Sequence, residues 1–460
     1  MNQVYISAAH KSSGKTTVTL GICSALHADG LSIQPFKKGP DYIDPLWLTQ
    51  AAGNPCYNLD FFTSSHDQIE QLFTEKSKDR DLSIIEGNKG LYDGLDLKGC
   101  DSNAAMANLL GSSVILVINT VGITRGVAPL LLGYLAFDHA PDIKGVILNN
   151  TAGSRHESKL VAVVNEYTDL DVLGTVRRDK DLVIDERHLG LVPSNEKSES
   201  EKIINKIASK VRDQVDLEKI ISLANPVNPA SSVNQDNTNA QSVQDISASS
   251  SRLGIFKDSA FGFYYPDDLE VFLEHGVELI EINALEDKCL PEIDALFIGG
   301  GFPETHMEKL AENASLMKSV SKFVENNGIV YAECGGLMYL SRSLTWKEKE
   351  CKMCGIIPAD VVMHEKPQGR GYIKLTETEQ ATWPGAKQDE VIHAHEFHYS
   401  SLENLPENAR FAYQVIRGHG INGKNDGFIY KNLMANYTHM RNTGSNNWIE
   451  RFLAFIAANK

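Results

Sequence analysis

The sequence predicts an α/β protein of two domains, each built on a mostly parallel sheet. Three observations predict it. Short apolar runs alternate with amphipathic stretches along both halves of the chain, the pattern of strands joined by crossover helices. The halves are separated at 225–251 by NPVNPASSVNQDNTNAQSVQDISASSS, which has no aromatic residue and almost no charge. Such a stretch buries too little apolar surface to offset its ordering entropy, and it reads as a flexible low-complexity linker; the alternative is a long surface loop inside one domain. Residues capable of chemistry gather where apolar runs end, which is where parallel sheets bind ligands. The expected domains are 1–224 and 252–460.

Composition sets the outer bounds. Of 460 residues, 42% are hydrophobic and 23% charged, which excludes a wholly disordered or fibrous chain. Against 60 Asp+Glu there are 44 Lys+Arg, a net charge of −16, so a broad nucleic-acid surface is not expected. The seven cysteines are odd in number and scattered, as for reduced thiols in the cytoplasm. Neither a leader nor a membrane span is expected. The most apolar run, Val114–Val121, falls far short of the roughly 20 residues a bilayer requires and reads as a buried parallel strand.

In the first half the expected strands are Val4–Ala8, Leu31–Phe36, Leu82–Ile85, Val114–Asn119 and Val146–Asn149, with helices at Thr16–His27 and His156–Tyr167. After the first strand comes Ala9-His10-Lys11-Ser12-Ser13-Gly14-Lys15-Thr16-Thr17. This is a phosphate loop with Ala9 in place of the first glycine. Loop N–H groups and a helix N-terminus converge on phosphate oxygens, Lys15 reaches the terminal phosphates and the Thr16 hydroxyl ligates Mg²⁺. Ser12, Ser13, Gly14 and Thr17 complete the expected ATP cradle; the alternative is a strand–turn–helix junction with an incidental Gly-Lys-Thr. The second strand runs into Lys37-Lys38-Gly39-Pro40-Asp41-Tyr42-Ile43-Asp44-Pro45. Its carboxylates, Asp41 and Asp44, suit Mg²⁺ or a phosphate acceptor, or else a capped turn. Glu86 ends the third strand, where a Walker-B type carboxylate sits. Asn149 is a candidate for reading adenine, and Arg177 and Arg178 for an anionic substrate. An ordinary polar loop is the alternative for each.

In the second half the expected strands are Leu253–Phe256, Val277–Ile282, Ala295–Ile298 and Ile329–Ala332, with helices at Tyr265–Glu274 and Glu304–Asn313. The strand ending at Ala332 turns through Glu333-Cys334-Gly335-Gly336. Small neighbours allow a tight turn that projects the sulfur, the logic of a nucleophile elbow. The following helix N-terminus is expected to lower the thiol pKa; the alternative is a buried structural cysteine. Gly299-Gly300-Gly301 also follows a strand, and Gly300, Gly301 and Gly335 are the candidate oxyanion and glutamine contacts. His439 is the candidate general base for Cys334. Arg441 stands where a His-x-Glu carboxylate would be, so the expectation is a Cys–His dyad or an acid recruited from elsewhere. His393, His395 and His398 read as structural or substrate-facing. Cys351 and Cys354 form a lone Cys-x-x-Cys with no second pair, which is a weak zinc signal.

These motifs carry a resemblance. The segments SSGKTT, GPDYIDP and IIEG resemble the dethiobiotin-synthetase-like ATP-binding fold, and IGGGFPE, AECGG, HEFHYS and a late His resemble a class I glutamine amidotransferase. In this order they resemble the cobyrinic acid a,c-diamide synthase family; Glu186–Leu191 and Ala260–Tyr265 support the match. Absence of the third triad carboxylate is typical of this branch. The resemblance implies that glutamine is hydrolysed at Cys334 through a thioester. It implies ATP·Mg²⁺ activation of peripheral tetrapyrrole acetates, at positions a and c, as acyl phosphates that ammonia converts to amides. Thr16, Asp41 and Glu86 would hold the metal, and Asp41, Asp44 and Lys38 would serve phosphoryl transfer and substrate. A homodimer is left open. Lys38 and Lys366–Tyr372 depart from the family pattern, which leaves a sirohydrochlorin-type ring (sirohaem or nickel sirohydrochlorin) as the alternative substrate. Remoter alternatives are a non-amidating phosphate-loop switch ATPase, whose signature lysine would occupy the place of His10, and a glutamine sensor with an inactive synthetase half.

Overall fold

The computed structural model describes residues 2–137, 141–179, 182, 184, 186–187, 190–196, 199–227, 251–385, 390–444 and 446–460. The chain divides into two compact units, Met1–Thr238 and Asn239–Lys460. Most of the expected linker, 228–250, lies outside the described residues, as do His188 and Leu189 of the Glu186–Leu191 motif.

In the first unit, β1 (Asn2–Ala8), β2 (Ile33–Lys38), β3 (Tyr57–Leu59), β4 (Leu82–Glu86), β5 (Ser113–Asn119), β6 (Ile143–Thr151) and β7 (Asp171–Arg177) form one parallel sheet. The order is β3-β2-β4-β1-β5-β6-β7. Central strands such as Val114–Ile118 are buried throughout, because helices cover both faces of a parallel sheet. Asn225 and Pro226, expected in the linker, instead pair antiparallel with Gln3 and Asn2. The helix Lys15–Ala28 packs Gly21 against Val211, where a β-carbon would lie 2.3 Å from Val211 Cγ2.

In the second unit, the strands are β8 (Arg252–Phe256), β9 (Glu278–Ile282), β10 (Ala295–Ile298), β11 (Ile329–Glu333), β12 (Gly369–Glu377), β13 (Ile392–His398), β14 (Arg410–Arg417), β15 (Asn425–Tyr430) and β16 (Leu433–Asn436). They form one sheet in the order β9-β8-β10-β11-β16-β15-β14-β12-β13. The sheet is parallel from β9 to β16 and antiparallel beyond. The expectation of a mostly parallel sheet therefore holds for only half of it. Antiparallel neighbours need no crossover helix between them; Lys431 and Asn432 alone link β15 to β16. The expected helix Glu304–Asn313 is split into a 3₁₀ turn, Pro303–His306, and a short helix, Met307–Glu312. Tyr331, Trp383, Trp448 and Phe452 pack together beneath the sheet.

No helix among the described residues is long and apolar enough to cross a membrane. All seven cysteines are free thiols.

Candidate active sites

The phosphate loop lies at the carboxyl end of β1. Its shape depends on Gly14, which sits at φ +80° with Asn149 packed against it. A β-carbon there would lie 2.1 Å from Asn149 Nδ2. Ser13 Oγ donates to His10 O at 2.7 Å, and Asn149 Nδ2 donates to Ser13 O at 2.8 Å. Asn149 thus braces the loop from behind, where an adenine-reading amide was expected. Ser12 is exposed at φ +63°, and Lys15, Thr16 and Thr17 open the helix.

The sheet register gathers the charges. Lys37 on β2 is the register partner of Glu86 on β4. Lys37 Nζ donates to Glu86 Oε1 at 2.9 Å and to Asp44 Oδ2. Lys15 Nζ lies 3.2 Å from Glu86 Oε1. The Thr16 hydroxyl lies 2.7 Å from Glu86 Oε1 and 3.3 Å from Asp44 Oδ2. Burial opposes a charge on Lys37, but Asp44, Glu86 and Asp41 outweigh it and hold the ammonium well above its ordinary range. Burial likewise works against the Asp44 carboxylate, yet Lys37 and Lys15 hold its pKa below the usual range.

Two sequence expectations change places here. Asp44, rather than Asp41, reaches Thr16. Asp41 Oδ1 accepts from the N–H groups of Ile43 and Asp44, at 2.9 and 3.2 Å, capping the next helix. Burial, and then the nearby Asp44, push the Asp41 pKa up to about 6. Lys37, rather than Lys38, enters the cluster, because successive strand residues face opposite ways. Lys38 Nζ instead donates to the carbonyl of Asp101. Arg177 is engaged by Glu157, with Nε–Oε1 at 2.7 Å and Nη2–Oε2 at 3.0 Å.

The donor set fits a magnesium ion. Among the described residues no three His, Cys, Asp or Glu side chains form a cage, but Mg²⁺ is commonly held by one or two carboxylates plus phosphates and water. Asp44, Glu86 and the Thr16 hydroxyl supply hard oxygens. Glu86 Oε2 is buried and meets no hydrogen-bond donor among the described residues.

In the second unit Cys334 adopts φ +45°, ψ −99° at the turn from β11 into the helix Gly335–Leu340. A positive φ on a non-glycine residue costs on the order of 1–3 kcal/mol and is retained where the surroundings enforce it. The surroundings here are close: a β-carbon on Gly336 would lie 2.3 Å from Ile298 O. One on Gly335 would lie 3.0 Å from Gly301 N, and one on Gly300 would lie 2.6 Å from His439 Cε1. Gly300, Gly301, Gly335 and His439 therefore converge beside Cys334. The expected depression of the thiol pKa is overturned. Burial, then Glu304 and Glu333, push it well up, and the helix beyond is only six residues long.

Arg441 Nη2 lies 2.5 Å from Asp267 Oδ2, and its guanidinium stacks over the Tyr265 ring at 4.6 Å. The carboxylate beside His439 is instead Glu333, with Oε2 3.3 Å from Nδ1. The Asp426 carboxylate accepts from the N–H groups of Tyr437 and Thr438, at 3.0 and 2.9 Å, and anchors the segment leading to His439. His395 stacks on His439 with ring centroids 4.9 Å apart, and His398 stacks on Tyr437 at 3.8 Å. His393, on the same strand, is partly exposed. Sequence reasoning passed over Lys37, Glu333 and Asp426.

Comparison with known proteins agrees with this division. Residues 6–192 match the CobQ/CobB/MinD/ParA nucleotide binding domain, and 252–447 match the CobB/CobQ-like glutamine amidotransferase domain. A protein of Magnetococcus marinus named cobyrinate a,c-diamide synthase is 42% identical over 97% of this chain and 95% of its own. One of the same name from Archaeoglobus fulgidus is 37% identical over 98% of this chain and 96% of its own. With both domains present and such relatives matched end to end, the chain belongs to the cobyrinate a,c-diamide synthase family of amide-forming, glutamine-dependent ligases.

Proposed function

We propose that the protein uses ATP and glutamine to amidate the a and c acetate side chains of cobyrinate. The observation that carries the reading is the pairing, within one chain, of the Lys15–Thr16–Asp44–Glu86 cluster with the strained Cys334 elbow. End-to-end likeness to proteins named for this reaction supports the choice of substrate. In this reading the chain up to Pro226 is the synthetase domain, because Asn225 and Pro226 pair with its first strand, and 252–460 is the amidotransferase domain.

Cys334 Sγ attacks the side-chain amide carbon of glutamine as its proton passes to His439. Backbone N–H groups of Gly300, Gly301 and Gly335 face the oxyanion. The C–N bond breaks, His439 returns the proton to the leaving nitrogen, and ammonia departs. Water then cleaves the thioester, releasing glutamate and restoring the thiol.

A carboxylate is too poor an electrophile for ammonia. The substrate carboxylate therefore takes the terminal phosphoryl group of ATP, giving an acyl phosphate and ADP. Ammonia adds to the acyl carbon and phosphate leaves. Ser12, Ser13, Gly14 and Thr17 shape the phosphate cradle, with Asn149 as its brace. Lys15 and Lys37 carry positive charge to the transferring group. Magnesium, held by Thr16, Asp44 and Glu86, would neutralise phosphate charge. Asp41 lies 3.8 Å from Lys37 Nζ, at the rim of this cluster.

The test is incubation with ATP, Mg²⁺ and glutamine against cobyrinic acid, hydrogenobyrinic acid, sirohydrochlorin with and without metal, and sirohaem. Mass spectrometry counts carboxylate-to-amide conversions. Two conversions on cobyrinic acid are expected. Conversion of a sirohydrochlorin-type ring alone would overturn the substrate and leave the mechanism.

A further inference from the structure

We infer that Glu333, the residue preceding the nucleophile, is the positioning acid of the glutaminase site and takes the place of the carboxylate that Arg441 displaces. The inference rests on Cys334 and His439 being that site.

Three features of its setting favour this role. The carboxylate is almost wholly buried, at 2% exposure, and so is His439, at 3%. One oxygen is fixed: Oε1 accepts from Met440 N at 2.9 Å and from the Tyr331 hydroxyl at 2.8 Å. The hydroxyl in turn accepts from Asn436 Nδ2 at 3.0 Å. The other oxygen, Oε2, faces His439 Nδ1 at 3.3 Å. A carboxylate only accepts, so this contact places the imidazole proton on Nδ1. Nε2 then carries the lone pair that can take a proton from a thiol. This matters at a cysteine whose thiol is held protonated by burial and by two carboxylates. The thiol does not ionise unaided, so the base must receive its proton during attack, and the imidazolium so formed needs a fixed counter-charge. Glu333 supplies that charge when the proton reaches Nε2.

A purely structural Glu333, holding Met440 and no more, predicts different behaviour. The test compares glutamine hydrolysis by the wild type and by Glu333→Gln, Glu333→Asp and Cys334→Ala, all in the full chain. Glu333→Gln keeps an acceptor for Met440 but loses the charge. Its kcat is expected to fall by at least about 100-fold with the KM for glutamine little changed, as when the acid of a triad is neutralised. The acidic limb of its kcat/KM profile moves to lower pH, and Glu333→Asp recovers part of the rate. Unfolding midpoints of the variants establish that they fold; should Glu333→Gln fail to, the Glu333→Asp profile decides. Glutaminase within about twofold of wild type in Glu333→Gln, with Cys334→Ala inactive, overturns this inference alone. Undiminished glutaminase in Cys334→Ala overturns the reading of the site as well.

Discussion

The Thr16 hydroxyl donates to Glu86 Oε1 at 2.7 Å, across 70 residues of sequence. The bond ties the first turn of a helix to the end of a neighbouring strand, and Glu86 Oε2 meets no donor among the described residues. Glu86→Gln replaces that oxygen's charge with an amide and leaves Lys37 and Lys15 short of a counter-ion. Amidation is expected to fail with either glutamine or ammonia as nitrogen source. Normal product formation with either would remove Glu86 from phosphoryl transfer.

Cys334→Ala separates the two chemistries. Glutamine-dependent amidation is expected to vanish while added ammonia still supports product formation. Loss of both would mean that Cys334 does more than release ammonia. In the unmodified protein, the raised thiol pKa makes iodoacetamide labelling of Cys334 slow at neutral pH. The rate should keep rising beyond the ordinary thiol range near 9, and a plateau below pH 8 would contradict the burial argument.

Asn149→Ala removes the bond to Ser13 O and the atom packed on Gly14. One buried hydrogen bond is worth about 1 kcal/mol, so the expected effect is a several-fold rise in the KM for ATP, with glutamine hydrolysis unaltered. Steady-state kinetics with ATP varied will show it. An unchanged KM would mean that the loop holds its shape without the brace.

Acid should weaken the second unit through Glu396. Burial works against this carboxylate, but His398 and the N–H groups of Gly420 and His419 outweigh it and lower its pKa. A depressed folded-state pKa contributes stability above the unfolded carboxylate value of about 4.5, and that stability is lost as pH falls through the folded value. Glu396→Gln should therefore melt lower than wild type at pH 7, with the gap narrowing as pH falls below about 4.5. A gap independent of pH would trace the effect to packing.

Legibility in the sequence followed distance along the chain. The phosphate loop and the cysteine elbow are continuous segments whose glycines declare the backbone they need. The half-parallel character of the second sheet was hidden because β12 to β15 carry short mixed patterns without helices between them. Lys37 was legible in principle: aligning the ends of β2 and β4 places it beside Glu86, and strand alternation then turns Lys38 away. Asp426, and the bracing role of Asn149, gave no such signal, since a buried side chain bracing another segment's main chain leaves no local pattern. Glu333 was hidden by proximity, because a residue next to a nucleophile reads as part of its turn.

Glu333 and Cys334 are joined by one peptide bond, whereas His439 arrives from a strand more than a hundred residues onward. The alignment of β11 with β16, which sets Glu333 beside Asn436, is therefore a long-range dimension to which this centre is sensitive. A slip between those two strands would carry nucleophile and acid away from the imidazole together. Partial unfolding at that seam should silence glutamine hydrolysis before either strand melts.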